Sequence, residues 1–161
     1  FSLPTTLSMN KPESLATLAA SVGAPSYVRH PRLLGWVREI AALTTPERIV
    51  RSAAHRMGFR FRLHVAGLPG RPDLVFPSKH KVIFVHGCFW HRHTCKRGTL
   101  PASNIEFWRE KLERNKRRDR EVVKALTRAG WEVMVVWECE TRNAEKLTRR
   151  LGVFLSDAVE P

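Results

Sequence analysis

No run of apolar residues in this 161-residue chain approaches the length a helix needs to cross a bilayer, so a membrane-spanning helix is not expected. Cysteine is scarce and odd in number: Cys88, Cys95 and Cys139. With no signal-peptide pattern at the start, three thiols do not suggest a secreted disulfide framework. Acidic side chains are also few. Asp and Glu total 15 against 28 Lys and Arg, a net charge of +13. A field of that sign attracts polyanions, nucleic acid foremost. Internal repeats and low-complexity segments are missing too. What remains is one domain of ordinary size, 43% hydrophobic, able to bury a core without disulfides.

The apolar pattern predicts short helices over 12–21 and 33–43, separated by a Gly/Pro/Ser/His-rich break. Thr45-Pro46-Glu47 predicts a helix start, with Thr45 as cap, Pro46 in the first turn and Glu47 on the positive end of the dipole. Gly58 suits the stop. Alternation over 59–65 predicts a half-buried strand, and 73–76 and 82–86 read as short buried strands. A long helix is expected from Ser103, with Glu106 placed for a capping box, to Ala129 before Gly130. A strand over 131–137 and a helix over 143–154 follow. The order implies an α/β (α+β) fold, a small mixed sheet with helices packed on it.

The segment from His86 to Cys95 packs three His and two Cys into ten residues. Tetrahedral zinc takes thiolates and imidazoles from a short loop plus a second segment delivered by the fold. Cys88, Cys95 and Cys139 with one His satisfy that, and such a closed site would be structural. The spacing matches no zinc-finger template, and buried reduced thiols beside surface histidines are the plainer alternative.

Asp73 ends a Gly-Arg-Pro-Asp turn and opens a strand. A carboxylate there suits Mg²⁺, which keeps several waters and needs one or two protein oxygens, though a turn or cap role is commoner. Glu47 is equally a dipole partner, and His86 and His91 are ligands, surface residues or general acid–bases. Residues 109–120 carry seven basic and three acidic side chains, with Glu110–Arg114 and Glu113–Arg117 at ion-pair spacing. Lys111 and Asn115 share a face that could meet base edges or phosphates. Phe89 and Trp90 are core residues or a wedge between bases.

Taken together, Leu68-Pro-Gly-Arg-Pro-Asp73, Val82-Ile-Phe-Val-His-Gly-Cys-Phe-Trp-His91, Glu106-Phe-Trp108, Gly130-Trp131 and Val136-Trp-Glu-Cys139 resemble the very-short-patch-repair (Vsr) endonuclease family. The resemblance spans roughly residues 45–147. It implies a restriction-endonuclease-like fold that nicks one strand beside a T:G mismatch, leaving a 5′-phosphate and a 3′-hydroxyl. By position it implies Asp73 and the Val85 carbonyl as Mg²⁺ contacts and Glu47 to order water there. His91 would activate the attacking water, and His86 would assist at the phosphate. Cys88, His93, Cys95 and Cys139 would hold Zn²⁺. Phe89 and Trp90 would intercalate, and Lys111 and Asn115 would read the mismatch.

The strand Ile83-Phe84-Val85 carries none of the acid and lysine usual in restriction nucleases, so a carbonyl and histidine chemistry substitute. Where the family has a basic Arg-Ser-x-x-Met arm, this chain has Arg32-Leu-Leu-Gly-Trp36, and Trp36 could be a larger wedge. Residues 1–31 form an N-terminal extension and 32–157 the endonuclease domain. The resemblance further implies a bacterial cytoplasmic, nucleoid-associated enzyme working with a repair polymerase and a cytosine-5 methyltransferase. Two alternatives are a related nuclease used for restriction or phage defence and a catalytically dead zinc-bearing DNA-binding module.

Overall fold

The computed structural model describes residues 45–156. The helices expected over 12–21 and 33–43, and with them Trp36, lie outside the described residues. Helix α1 spans Pro46–Arg56, strands β1 Leu74–Phe76 and β2 Lys81–His86. Helix α2 follows at Ile105–Arg128, then strand β3 at Glu132–Trp137 and helix α3 at Ala144–Leu155. The sheet runs β1-β2-β3, antiparallel between β1 and β2 and parallel between β2 and β3. A mixed sheet flanked by helices is thus what the chain forms.

The strand period sorts side chains onto two faces. Leu74, Phe76, Ile83, Met134 and Val136 join Ile49, Val50 and Ala53 of α1 and Leu147, Leu151 and Leu155 of α3 in one core. Val75, Val82 and Phe84 pack with Leu126 of α2, Val122 and Val133 in the other. Truncating one such buried Leu or Ile to Ala costs about 2–5 kcal/mol. Parallel strands need a crossover, and α2 is that crossover, so its far face remains open to solvent. Among the described residues no helix is long and apolar enough to cross a membrane.

Several sequence expectations need correction. Residues 59–65 do not form a fourth strand: only Arg62 bridges Val75, through hydrogen bonds of 2.8 and 3.0 Å. Phe59 and Phe61 do turn into the core, but His64 adopts φ 52°, which breaks the extended run. Helix α2 begins two residues later than expected and without a capping box. Asn104 is its N-cap, makes no side-chain cap bond, and Glu106 pairs with Arg109 at 2.9 Å. Thr45 likewise caps α1 without a side-chain hydrogen bond, while Pro46 and Glu47 stand where expected. Glu110 does pair with Arg114, at 3.9 Å, but Glu113 turns instead to Arg92 of the loop, at 2.8 Å.

Candidate functional site

The loop before β1 lies on α2. A Cβ at Gly70 would sit 2.4 Å from Cγ1 of Val122, so only glycine permits that approach. The loop delivers Asp73 to the mouth of a cleft of about 530 Å³ at the C-terminal end of β2, where Val85, His86, His91, Arg118 and Asp119 also converge. Asp73 Oδ2 accepts the Val85 N–H at 2.7 Å, tying the start of β1 to the end of β2. Burial raises the Asp73 pKa above the ordinary carboxylate value. The Val85 N–H opposes that, the negative charge of Glu47 adds to it, and the positive charge of Arg51 opposes it. Glu47 itself stands in the first turn of α1 with Arg51 one turn on, 3.6 Å away. A half-buried carboxylate within electrostatic reach of a second one is a donor set that a hard divalent cation relieves, so the residues present fit Mg²⁺. A larger hollow of about 840 Å³ opens at the opposite end of β2 and β3, among Lys79, Lys81, Glu132 and Arg149. It contains none of the residues singled out from sequence.

His86 ends β2, and His91 follows one turn into the loop. Their rings stack at 3.8 Å, 9° from parallel. Burial drives the His86 pKa down to about 4, with the neighbouring His91 and Arg118 charges acting the same way and Asp119 against them. His86 is therefore neutral near pH 7. His91 Nδ1 lies 2.5 Å from Oδ2 of Asp119, on α2. A carboxylate only accepts, which assigns a proton to Nδ1 and leaves Nε2 as the nitrogen that can take up or give a second one. The donor atoms of His86, His91 and Asp119 all lie within 4.8 Å of one another. Stacked rings, however, present their in-plane lone pairs side by side instead of converging on one ion. The arrangement suits proton transfer better than metal binding.

Beside this pair, Cys88, His93, Cys95 and Cys139 bring one thiol or imidazole atom each within 4.8 Å of the others. The loop contributes three of them, and Cys139 comes from the turn after β3. Burial pushes the Cys88 thiol up to about 12 and also raises that of Cys139. A hydrogen bond with His93 draws half-buried Cys95 down to about 6. Binding a metal would let these thiols ionise together, and the compact Cys₃His set could hold one. Trp137 spans the two groups, stacking on His93 at 4.4 Å and meeting His86 edge-on at 5.6 Å. Glu138 braces the loop by accepting the Cys88 N–H at 3.4 Å and pairing with Arg97 at 2.6 Å.

Phe89 and Trp90 project from the same loop and meet Trp108 of α2 at 5.3 and 6.1 Å between ring centroids. Phe107 adjoins Trp108 at 5.2 Å. Trp90 and Phe107 remain about half exposed, at 48% and 55%. Lys111 holds its ammonium 5.4–5.6 Å from the rings of Trp90, Phe107 and Trp108. Asn115 donates to the Trp90 carbonyl at 3.1 Å. The result is an apolar blade with a basic helix behind it.

The structure brings together Asp73, Val85, His86 and His91, which the family resemblance implied as one site, and likewise Cys88, His93, Cys95 and Cys139, while Lys111 and Asn115, read from sequence as sharing a helix face, both contact Trp90. Sequence reasoning missed Asp119, Arg118, Arg51 and the aromatic partners Phe107 and Trp108. A signal for Asp119 existed: it continues the Lys111–Asn115 row at the next four-residue step.

A cation-ready carboxylate, a carboxylate-oriented histidine, a soft-ligand metal loop and a basic helix define a class of site equipped to hydrolyse a polyanionic ester. A family model described as DNA mismatch endonuclease Vsr matches residues 37–97. The chain is 52% identical over 112 residues to the type II nicking enzyme V.XorIIP of Xanthomonas oryzae pv. oryzae, covering 70% of this chain and 82% of that one. It is 46% identical over 113 residues to the DNA mismatch endonuclease Vsr of Escherichia coli K12, covering 70% and 72%. With the type II nicking enzyme V.NmeAIP of Neisseria meningitidis serogroup A it shares 42% identity over 109 residues, 68% and 78% of the two chains. This chain belongs to the Vsr family of DNA endonucleases.

Proposed function

We propose that this protein nicks one strand of duplex DNA beside a T:G mismatch by Mg²⁺-dependent phosphodiester hydrolysis, the first step of very short patch repair. The observation that carries the reading is His91, oriented by Asp119, facing the same cleft as Asp73 beneath an exposed aromatic blade.

Asp73 and the Val85 carbonyl would hold Mg²⁺, which when bound polarises the scissile phosphate and steadies the leaving oxygen. Glu47 orders water on the same side. His91 Nε2 takes a proton from the attacking water as its oxygen bonds to phosphorus. The bond to the 3′ oxygen breaks, that oxygen takes a proton from solvent, and a 5′-phosphate remains. Asp119 fixes the His91 ring and favours the imidazolium that forms. Neutral His86 donates an N–H to a phosphate oxygen without adding charge to its stacked neighbour. Cys88, His93, Cys95 and Cys139 hold structural Zn²⁺, which keeps Phe89 and Trp90 rigid enough to part stacked bases. Lys111 and Asn115 contact the opened step, and Trp36 adds a wedge from the N-terminal arm. Residues 32–157 form the endonuclease domain, with 1–31 an extension. The nick would serve a repair polymerase in the bacterial cytoplasm, at sites where a cytosine-5 methyltransferase product has deaminated.

A second reading is nicking for restriction or defence on other DNA structures. It is favoured by the relatives named as type II nicking enzymes and by Arg32-Leu-Leu-Gly-Trp36 in place of the usual arm. Paired duplexes with randomised flanks, one carrying a central T:G and one fully matched, separate the two. Nicking confined to the mismatched duplex supports repair. Equal cutting of both rejects it.

A further inference from the structure

Helix α1 buries Ile49, Val50, Ala53 and Ala54 in the core and turns Glu47 and Arg51 away from it, one turn apart. The Arg51 Nε is buried and makes no hydrogen bond among the described residues. Buried guanidinium donors ordinarily find acceptors, so packing alone does not explain an arginine here. Its Nη2 stands 3.6 Å from Glu47, too long for a strong fork, with three-quarters of the side chain covered. Its charge also reaches Asp73 and favours the ionised carboxylate, while Glu47 disfavours it. One cation thus serves two carboxylates that repel each other.

We infer that Arg51 is a positioning residue of the cation site, holding Glu47 toward Asp73 and limiting the pair's pull on the divalent ion. This rests on the reading of Asp73 as the Mg²⁺ carboxylate. Two bare carboxylates would bind the cation tightly with Glu47 free to swing into its shell. With Arg51 beside Glu47 and its charge felt at Asp73, the three side chains together carry one net negative charge, and Glu47 stays placed for water. Restriction-type sites commonly carry a basic residue on the second strand. Ile83-Phe84-Val85 has none, and Arg51 supplies a positive charge from the helix instead.

The test uses the full, zinc-loaded chain. Mg²⁺ affinity is measured by calorimetry without DNA, and single-turnover nicking of a T:G duplex is measured at saturating Mg²⁺. Arg51→Gln is expected to bind Mg²⁺ roughly fivefold more tightly, as loss of a nearby like charge dictates. The same variant is expected to nick about tenfold more slowly, because Glu47 loses its orientation. A merely structural arginine would weaken metal binding when removed. Weaker or unchanged Mg²⁺ binding in a folded Arg51→Gln, or an unchanged rate, overturns the inference. If that variant fails to melt cooperatively, Arg51→Lys decides. It should slow nicking severalfold in the parent but not in a Glu47→Gln background, and additive effects overturn the inference. Asp73→Asn binding Mg²⁺ as tightly as the parent would instead refute the metal reading, whatever Arg51 does.

Discussion

In the sequence Asp119 is one of three acids among seven basic residues over 109–120, yet its carboxylate lies 2.5 Å from Nδ1 of His91. That contact crosses from α2 to the Cys/His loop, so the four-residue spacing that lines Asp119 up with Lys111 and Asn115 does not announce its partner. Asp119→Asn keeps the shape but can present an N–H to Nδ1 and favour the wrong tautomer. Nicking should fall by at least about a hundredfold with duplex binding little changed, as single-turnover rates and binding isotherms would show. A near-normal rate would remove His91 as the base. Asp73, His86 and His91 stood out as candidates in the sequence because each sits in a short segment of polar, chemistry-bearing residues. The pairing of Asp73 with the Val85 N–H, and the interplay of Glu47 and Arg51, depend on β1, β2 and α1 meeting.

The elements divide the same way. Period-2 alternation correctly sent Phe59 and Phe61 inward, but it carried no warning that His64 would take a positive φ and end the extension. Alternation reports which face is buried, whereas ladder length depends on a partner strand, here only three residues long. Charge spacing on α2 allowed Glu113–Arg117, and the loop competed for Glu113 through Arg92. That loop is tightly closed: a Cβ at Gly98 would lie 1.9 Å from the His93 carbonyl oxygen. Gly98→Ala must therefore displace the backbone at His93. Metal analysis should find zinc reduced, and T:G discrimination should drop even where some nuclease activity survives. Full zinc content in a well-folded Gly98→Ala protein would show the loop to be more yielding than its geometry indicates.

For the whole molecule, the net charge of +13 was the earliest clue and the least specific. It predicts that affinity for matched duplex falls steeply with salt, by tenfold or more between about 50 and 200 mM, while any T:G preference falls less. Fluorescence anisotropy across that range checks it. The Cys₃His group ties the loop to the turn after β3, so Cys139→Ser should lose zinc and about 2–5 kcal/mol of stability in thermal or urea melts. Unchanged zinc and melting temperature there would exclude Cys139 from the ligand set.

The account stands on Asp73 as the carboxylate that makes the cleft a nuclease, and Asp73→Asn tests it most directly. Strand nicking and equilibrium binding are followed on one labelled T:G duplex in Mg²⁺, beside the parent protein. The account predicts binding within about twofold of the parent and nicking slowed by about a thousandfold or more. Cleavage at a near-parental rate would contradict it.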